Sequence, residues 1–362
     1  LYLPQIGIKE KKNVVSCLDD KWISSKGKFI KLFEDEFKKF TKIKYCTSVV
    51  NGTAALHLCL LALNLKKNDE IIVPTFTYIA SVNCITYVGA KPVFVDSDFS
   101  TMQISIKSIE KKITKKTKAI IIPHLYGYSC ELSKLLKLKK KYKIFIIEDC
   151  AEALGSFYQK KHLGYFGDIC AFSFFGSKTI STGEGGMVCS NNKFLIKRVN
   201  KYKGQGLNIT NKKKYYWHDV IGYNYRMTNI CAAIGYAQIK KISEILKNKK
   251  YIYNFYKRTL DTTRINFPIE VPGLDSCYWL IVIFFRSNKI KQIVNKILNK
   301  NNIETRPTFY PIHTMPMYKT KKRFKNAMKL SKLGLCLPSY PDLNKKQLKK
   351  ICKLINNSIK ND

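Results

Sequence analysis

Four short runs decide what this chain can become: Ile-Ile-Val at 71–73, Val-Phe-Val at 93–95, Ala-Ile-Ile-Ile at 119–122 and Ile-Phe-Ile-Ile at 144–147. Each is apolar at every position rather than at every second one. A strand with one wet face alternates. A strand apolar throughout is buried on both faces, as in a parallel sheet covered by helices. The strands expected are Tyr45–Val50, Glu70–Val73, Pro92–Val95, Ala119–Ile122, Ile144–Glu148, Ile169–Phe174 and Gly186–Ser190. Helical patterns fall between them, at Thr53–Leu63, Tyr78–Tyr87 and Leu132–Tyr142. This alternation predicts an α/β domain with a largely parallel central sheet. After about residue 245 the pattern changes. Lys-rich helical stretches (Ile239–Leu260, Ile290–Asn301, Lys345–Ile359) flank an apolar strand at Tyr278–Phe285. Arg306–Tyr318, with three prolines, reads as a loop. A large domain over 1–245 and a smaller α+β domain over 246–362 are expected.

Composition removes several classes. Of 362 residues 45% are apolar and 12% aromatic, enough to fill a core, so global disorder is excluded. Lys+Arg is 65 and Asp+Glu 25, and 65 − 25 gives +40. Seven of the basic residues are Arg, so 65 − 7 = 58 are Lys. Such a charge raises the alternative of a polyanion or nucleic-acid partner. The lysines are scattered, however, and the Arg forks that grip phosphates are few. Solvated faces and no nucleic-acid partner are therefore expected. Twelve cysteines without a single CxxC pair, and no apparent secretory signal, fit buried thiols in a reducing cytoplasm. The chain opens on Leu1 rather than Met, so a few preceding residues are expected. His57, His124, His162, His218 and His313 show no metal-ligand spacing, and no metal is expected. The longest clean apolar run, Cys277–Phe285, is far short of the ~20 residues that span a membrane.

In open parallel sheets ligands sit beyond the carboxyl ends of the strands. Three of those ends carry chemistry. The first strand runs into Asn51-Gly52-Thr53. Gly52 permits a tight turn, Thr53 can cap the following helix, and the free amides of a helix start suit a phosphate. The strand at 144–148 leads to Asp149, which could be a metal ligand, a base, a cofactor anchor or a solvated cap. The third end is Ser173-Phe174-Phe175-Gly176-Ser177-Lys178-Thr179. It is not a Walker A loop, because Ser177 separates Gly176 from Lys178. Lys178 lies among aromatic and small residues that desolvate it. Desolvation lowers a lysine pKa and makes the amine nucleophilic, as Schiff-base chemistry needs. A phosphate cup, a strand-end carboxylate and a lysine 178 − 149 = 29 residues later form the parts of a pyridoxal-phosphate (PLP) site.

These residues lie in longer stretches: Trp22-Ile23-Ser24-Ser25-Lys26-Gly27, VNGTAALHL, VPTFTYIASVN, EDCAEALGS, GDICAFSFFGSKTISTGEGGM, GYNYRMTNICAAIG and RPTFYPIH. Through them the chain resembles the nucleotide-sugar aminotransferases of the DegT/DnrJ/EryC1/StrS family, from about Leu3 to about Pro341. The resemblance implies the type I aspartate-aminotransferase fold, with a mostly parallel seven-stranded sheet. It implies PLP cycling with pyridoxamine phosphate (PMP), L-glutamate as donor and a nucleotide-linked 4-keto sugar as acceptor. The wording looks most like members that aminate GDP-4-keto-6-deoxymannose at C4. UDP- or dTDP-linked keto sugars are the alternative.

By the same resemblance, Lys178 carries the Schiff base and shuttles the proton, and Asp149 holds the pyridine nitrogen. Tyr78 stacks on the ring, Glu152 sits near the ring hydroxyl, and Gly52, Thr53 and Ser173 hold the phosphate. Asn224 reaches that phosphate from a partner subunit, which implies a homodimer with shared sites. Val50 and Glu152 depart from the commoner family pattern, Glu152 replacing Gln or His. The related dehydratase branch has His in place of the lysine, so Lys178 favours amino transfer. Substrate contacts are expected at further residues. Arg226 and Arg306 suit the substrate anions, or form surface ion pairs. Ser24, Ser25 and Lys26 line the entrance or cap a helix. Tyr310 and His313 contact the hexose, or His313 is a packed loop residue. Glu184 orients the sugar or the lysine, or pairs with a surface lysine.

Overall fold

A computed structural model describes residues 1–208 and 215–360. Seven strands form the central sheet in the order Tyr45–Val49, Gly186–Ser190, Ile169–Ser173, Phe145–Asp149, Thr117–Pro123, Glu70–Pro74, Lys91–Val95. All run the same way except Gly186–Ser190, which opposes both of its neighbours. The uninterrupted apolar runs have a direct cause here. Ile71 and Val73 pack into the core on the side of helix Gly52–Ala62, while Ile72 packs into the core of Phe33, Phe37, Phe172 and Phe174. Successive side chains of a strand point to opposite faces, and both faces are covered.

Helix Gly52–Ala62 is buried from Ala54 through Leu60, between the sheet and helices Ala80–Tyr87 and Lys193–Lys203. Its cap differs from expectation. The Asn51 side chain, not Thr53, accepts from the Ala54 amide at 2.8 Å. Asn51 is extended, with φ −164°, which sets its side-chain oxygen over the first turn. Thr53 is already inside the helix and is left free for another task.

A second, four-stranded antiparallel sheet has the order Ile265–Asn266, Ile281–Phe285, Gly334–Leu337, Arg306–Pro307. Three local expectations change in this region. The strand expected from Tyr278 begins at Ile281, because Tyr278 takes a left-handed φ of +48° and stacks on Tyr253 at 3.8 Å. The Arg306–Tyr318 loop opens with two residues paired to Leu335 and Cys336, then makes the 3-10 turns Ile312–Thr314 and Pro316–Tyr318. The helix expected over Ile239–Leu260 is two helices, Asn229–Lys240 and Ile242–Thr259. They break at Lys241, whose ammonium is drawn to the buried Glu10 at 2.7 Å and to the Gln5 carbonyl.

All twelve cysteines are free thiols and eleven are buried. Among the described residues no helix is long and apolar enough to cross a membrane. The sheet's main service to function is one of register. Pro123 pairs with Asp149, and Asp149 with Ala171, across three parallel strands. His124, Asp149 and Ser173 therefore emerge side by side, next to the start of helix Gly52–Ala62.

Candidate active site

A cavity of about 420 Å³ opens at those strand ends. It is lined by Gly52, Thr53, Tyr78, Asp149, Glu152, Ser173 and Lys178, with Glu184 and Arg306 at its margin. At one end, helix Gly52–Ala62 presents first-turn amides that no intrahelical carbonyl can reach. Gly52 lets strand and helix approach closely, since a Cβ there would lie 2.7 Å from Ser173 Cβ. The Ser173 and Thr53 hydroxyls flank this cup, which has the size and polarity for a phosphate.

Asp149 is nearly buried, yet both its oxygens are satisfied. Ser81 Oγ donates to Oδ2 at 2.6 Å and the Ala151 amide to Oδ1 at 3.1 Å. Two donors from different elements fix the carboxylate plane and keep it pointed into the cavity.

The Lys178 amine lies 3.5 Å from Glu152 Oε1 and 4.0 Å from the centre of the Trp279 ring. Trp279 donates its indole N–H to the Ser177 carbonyl at 2.7 Å. It is stacked at 16° on Tyr126, which is stacked at 19° on Phe309. Trp279 and Phe309 line the cavity with Tyr126 stacked between them, and the lining Tyr78 lies 6.0 Å from Phe309. The Lys178 side chain is half-buried beside the Trp279 ring.

Glu152 is buried beside that amine. Burial pushes its pKa up to about 7, against the opposing pull of Lys178 and the Tyr126 amide. Tyr126 makes that amide available by adopting a left-handed φ of +59°. A carboxyl whose pKa rises on folding stabilises the fold below its ordinary value of 4.5, and this contribution is lost as pH climbs through about 7. Glu152→Gln should therefore remove up to ~3 kcal/mol of pH dependence. Urea unfolding of the cofactor-free protein at ~pH 5 and ~pH 8 checks this. Equal slopes in the two proteins would show that Glu152 is not the titrating group.

His124, Glu148 and Cys150 hold potential ligand atoms within 4.8 Å of one another. Glu148 has no lone pair to spare. Its Oε1 accepts from the Phe166 and Gly167 amides, and its Oε2 from the Gly164 amide and His124 Nε2. Burial works to raise the Glu148 pKa, but these donors outweigh it and hold it below the usual range. The cluster is a hydrogen-bonded knot beneath the cavity floor.

A model of the DegT/DnrJ/EryC1/StrS aminotransferase family matches residues 4–356. The chain belongs to that family. It is 50% identical over 357 residues to the GDP-perosamine synthase of Escherichia coli O157:H7, covering 98% of this chain and 97% of that one. It is 43% identical over 362 residues to the GDP-perosamine synthase of Vibrio cholerae, covering 99% and 98%. The PLP form of Spr1654 from Streptococcus pneumoniae matches with a TM-score of 0.93 at 26% identity, over 99% of this chain and 98% of that one.

The DegT/DnrJ/EryC1/StrS resemblance also named residues that the cavity of this chain does not include. Asn224 and Arg226 lie outside it and bond to each other, at 3.1 and 3.3 Å. Ser24, Ser25 and Lys26 lie outside it too, and none of them caps a helix. Helix Lys28–Thr41 starts after Gly27, and Asn229 Oδ1 accepts from the Phe29 amide at 3.0 Å. Tyr310 is exposed and lines a separate crevice with Asn288 and Lys291. His313 is the packed loop histidine: its 3-10 turn directs it inward, where Nδ1 meets Thr75 Oγ1 at 2.8 Å and the ring packs on Phe324. Arg306 faces the cavity while paired with Glu304 at 3.2 Å.

Sequence reasoning missed Ser81, Tyr126, Trp279 and Phe309. Ser81 lies in the quoted stretch VPTFTYIASVN, but only the crossing of two chain segments shows that it serves Asp149. Trp279 and Phe309 come from the C-terminal third, where the sequence points instead to Arg306, Tyr310 and His313, although Phe309 lies in the quoted stretch RPTFYPIH.

Proposed function

We propose that this chain is a PLP-dependent aminotransferase that moves the amino group of L-glutamate to C4 of GDP-4-keto-6-deoxy-D-mannose, giving GDP-perosamine. The observation that carries this reading is the Lys178 amine, directed into a cavity with a phosphate cup at one end and the fixed carboxylate of Asp149 beside it. The GDP-linked acceptor rests on the likeness to two GDP-perosamine synthases. PLP, when bound, supplies an electron sink for the carbon that bears the nitrogen.

The chain's own residues do the rest. Gly52, Thr53 and Ser173 would hold the phosphate through amides and hydroxyls. The Asp149 carboxylate would keep a proton on the pyridine nitrogen, and Tyr78 would cover the ring. Lys178 would carry a proton between donor and acceptor carbons in each half-reaction, as general base and then general acid. Glu152, with its raised pKa, would hold a proton close to the ring hydroxyl. Arg306 would bind a substrate anion. Residues 1–245 would carry the cofactor, and 246–362 would close over it with Trp279 and Phe309.

The same reading includes a homodimer in which Asn224 and Arg226 of each subunit complete the other's site. Its support is local. Both residues miss their own cavity, and the neighbouring Tyr215, Tyr216 and Ile221 are strongly exposed. The test is a product assay with PLP and L-glutamate against GDP-, UDP- and dTDP-linked 4-keto-6-deoxyhexoses. A 4-amino sugar formed at least about tenfold faster from the GDP substrate is the expected result. A preference for another nucleotide would move the assignment to that branch.

A further inference from the structure

Lys249, on helix Ile242–Thr259, has no exposed surface. It forms no ion pair among the described residues. Its ammonium donates to the Trp279 carbonyl at 3.0 Å and the Ser339 carbonyl at 2.9 Å, and lies 5.1 Å from the centre of the Tyr2 ring. Burial without a countercharge pulls its pKa down to about 7. An apolar side chain of the same length would burden the core less.

What Lys249 grips leads to Lys178. The Trp279 indole donates to the carbonyl of Ser177, and the Tyr2 hydroxyl donates to the carbonyl of Thr179 at 3.2 Å. The residues on either side of Lys178 are thus clasped by two aromatic side chains. The first belongs to a residue whose own carbonyl is tied to Lys249, and the second packs its ring against the same ammonium. Trp279 also supplies the ring surface over which the Lys178 amine rests.

We propose that Lys249 is a positioning residue for Lys178: by tethering Trp279 and Tyr2 it holds the two clasps that aim the Lys178 amine into the cavity. The proposal rests on the aminotransferase reading and goes beyond it. Lys249 touches neither cofactor nor substrate. Its effect is on the placement of an amine whose proton transfer is sensitive to displacements of an ångström or less.

The test uses the full-length PLP-loaded protein as wild type, Lys249→Met, Tyr2→Phe and Trp279→Phe. Visible circular dichroism per bound chromophore reports how the Lys178-linked group is held. The glutamate half-reaction gives kcat and KM separately. In Lys249→Met the dichroic amplitude should fall about twofold or more and kcat about tenfold, with KM for glutamate within about twofold. Tyr2→Phe keeps the ring but loses one clasp, so it should shift both readouts the same way by less. Adding Tyr2→Phe to Lys249→Met should change nothing further. A folded Lys249→Met with wild-type dichroism and kcat would overturn the proposal, as would independent, additive effects. Should Lys249→Met not fold, Tyr2→Phe and Trp279→Phe decide: unchanged dichroism and kcat in both overturn the clasp. A wild-type protein that forms no visible band with PLP overturns the aminotransferase reading and the clasp with it. A band that persists unaltered in every variant overturns the clasp alone.

Discussion

Lys178→Ala protein mixed with PLP should show no glutamate-sensitive visible band, and its amino transfer should drop at least about 10³-fold. The size of the effect follows from the geometry. Among the described residues the amine is the only cavity-lining lysine, and the neighbouring Glu152 places an oxygen 3.5 Å from it. Among the described residues no second lining amine could take over the covalent role proposed for Lys178. The measurement is an absorption spectrum before and after L-glutamate, beside a coupled assay for 2-oxoglutarate. A variant that still bleaches with glutamate would place the Schiff base on another lysine.

Asp149→Asn should keep the visible band and still lose about 10²–10³-fold in rate. The amide is almost the same shape: its one oxygen can still accept from the Ala151 amide, and its NH2 can donate to Ser81 Oγ once that hydroxyl turns. What disappears is the negative charge proposed to hold a proton on the ring nitrogen. Capture by Lys178 and transfer should therefore separate: near-normal cofactor binding with slow turnover. If capture and turnover fall together, Asp149 is chiefly a structural support for the site. If neither falls, the carboxylate is not paired with the ring.

The parallel sheet was legible because burial on both faces removes polar residues from a strand. Ile71, Ile72 and Val73 announce two cores before either is seen. The three site-bearing strand ends were legible for a related reason, since a Gly, an Asp and a Lys there interrupt otherwise apolar or small stretches. Ser81 was not legible. A serine on the first turn of a helix looks like an ordinary polar residue until the strand bearing Asp149 is placed beside it. Thr53 misled because Thr is a good cap in general, while Asn51, two residues earlier, had the extended backbone a cap needs. His313 left two readings open, a hexose contact or a packed loop residue, because a histidine among prolines fits either; the 3-10 turn at Ile312–Thr314 turns it into the protein. The contribution of Lys249 could not be read at all in a chain with 58 lysines, because its partners are carbonyls, which carry no sequence signal.

Strand Tyr45–Val49 joins the sheet only through Gly186–Ser190, which begins 186 − 45 = 141 residues later. During synthesis the earliest strand must wait for that late strand before its place in the sheet exists. Closing so long a loop is slow compared with local helix formation. The strand that leads into Gly52 is consequently seated after Lys178 has already left the ribosome's catalytic centre. A chain truncated before Gly186 would own every residue proposed to touch the cofactor's phosphate within a subunit, and would lack the strand that seats Tyr45–Val49 in the sheet.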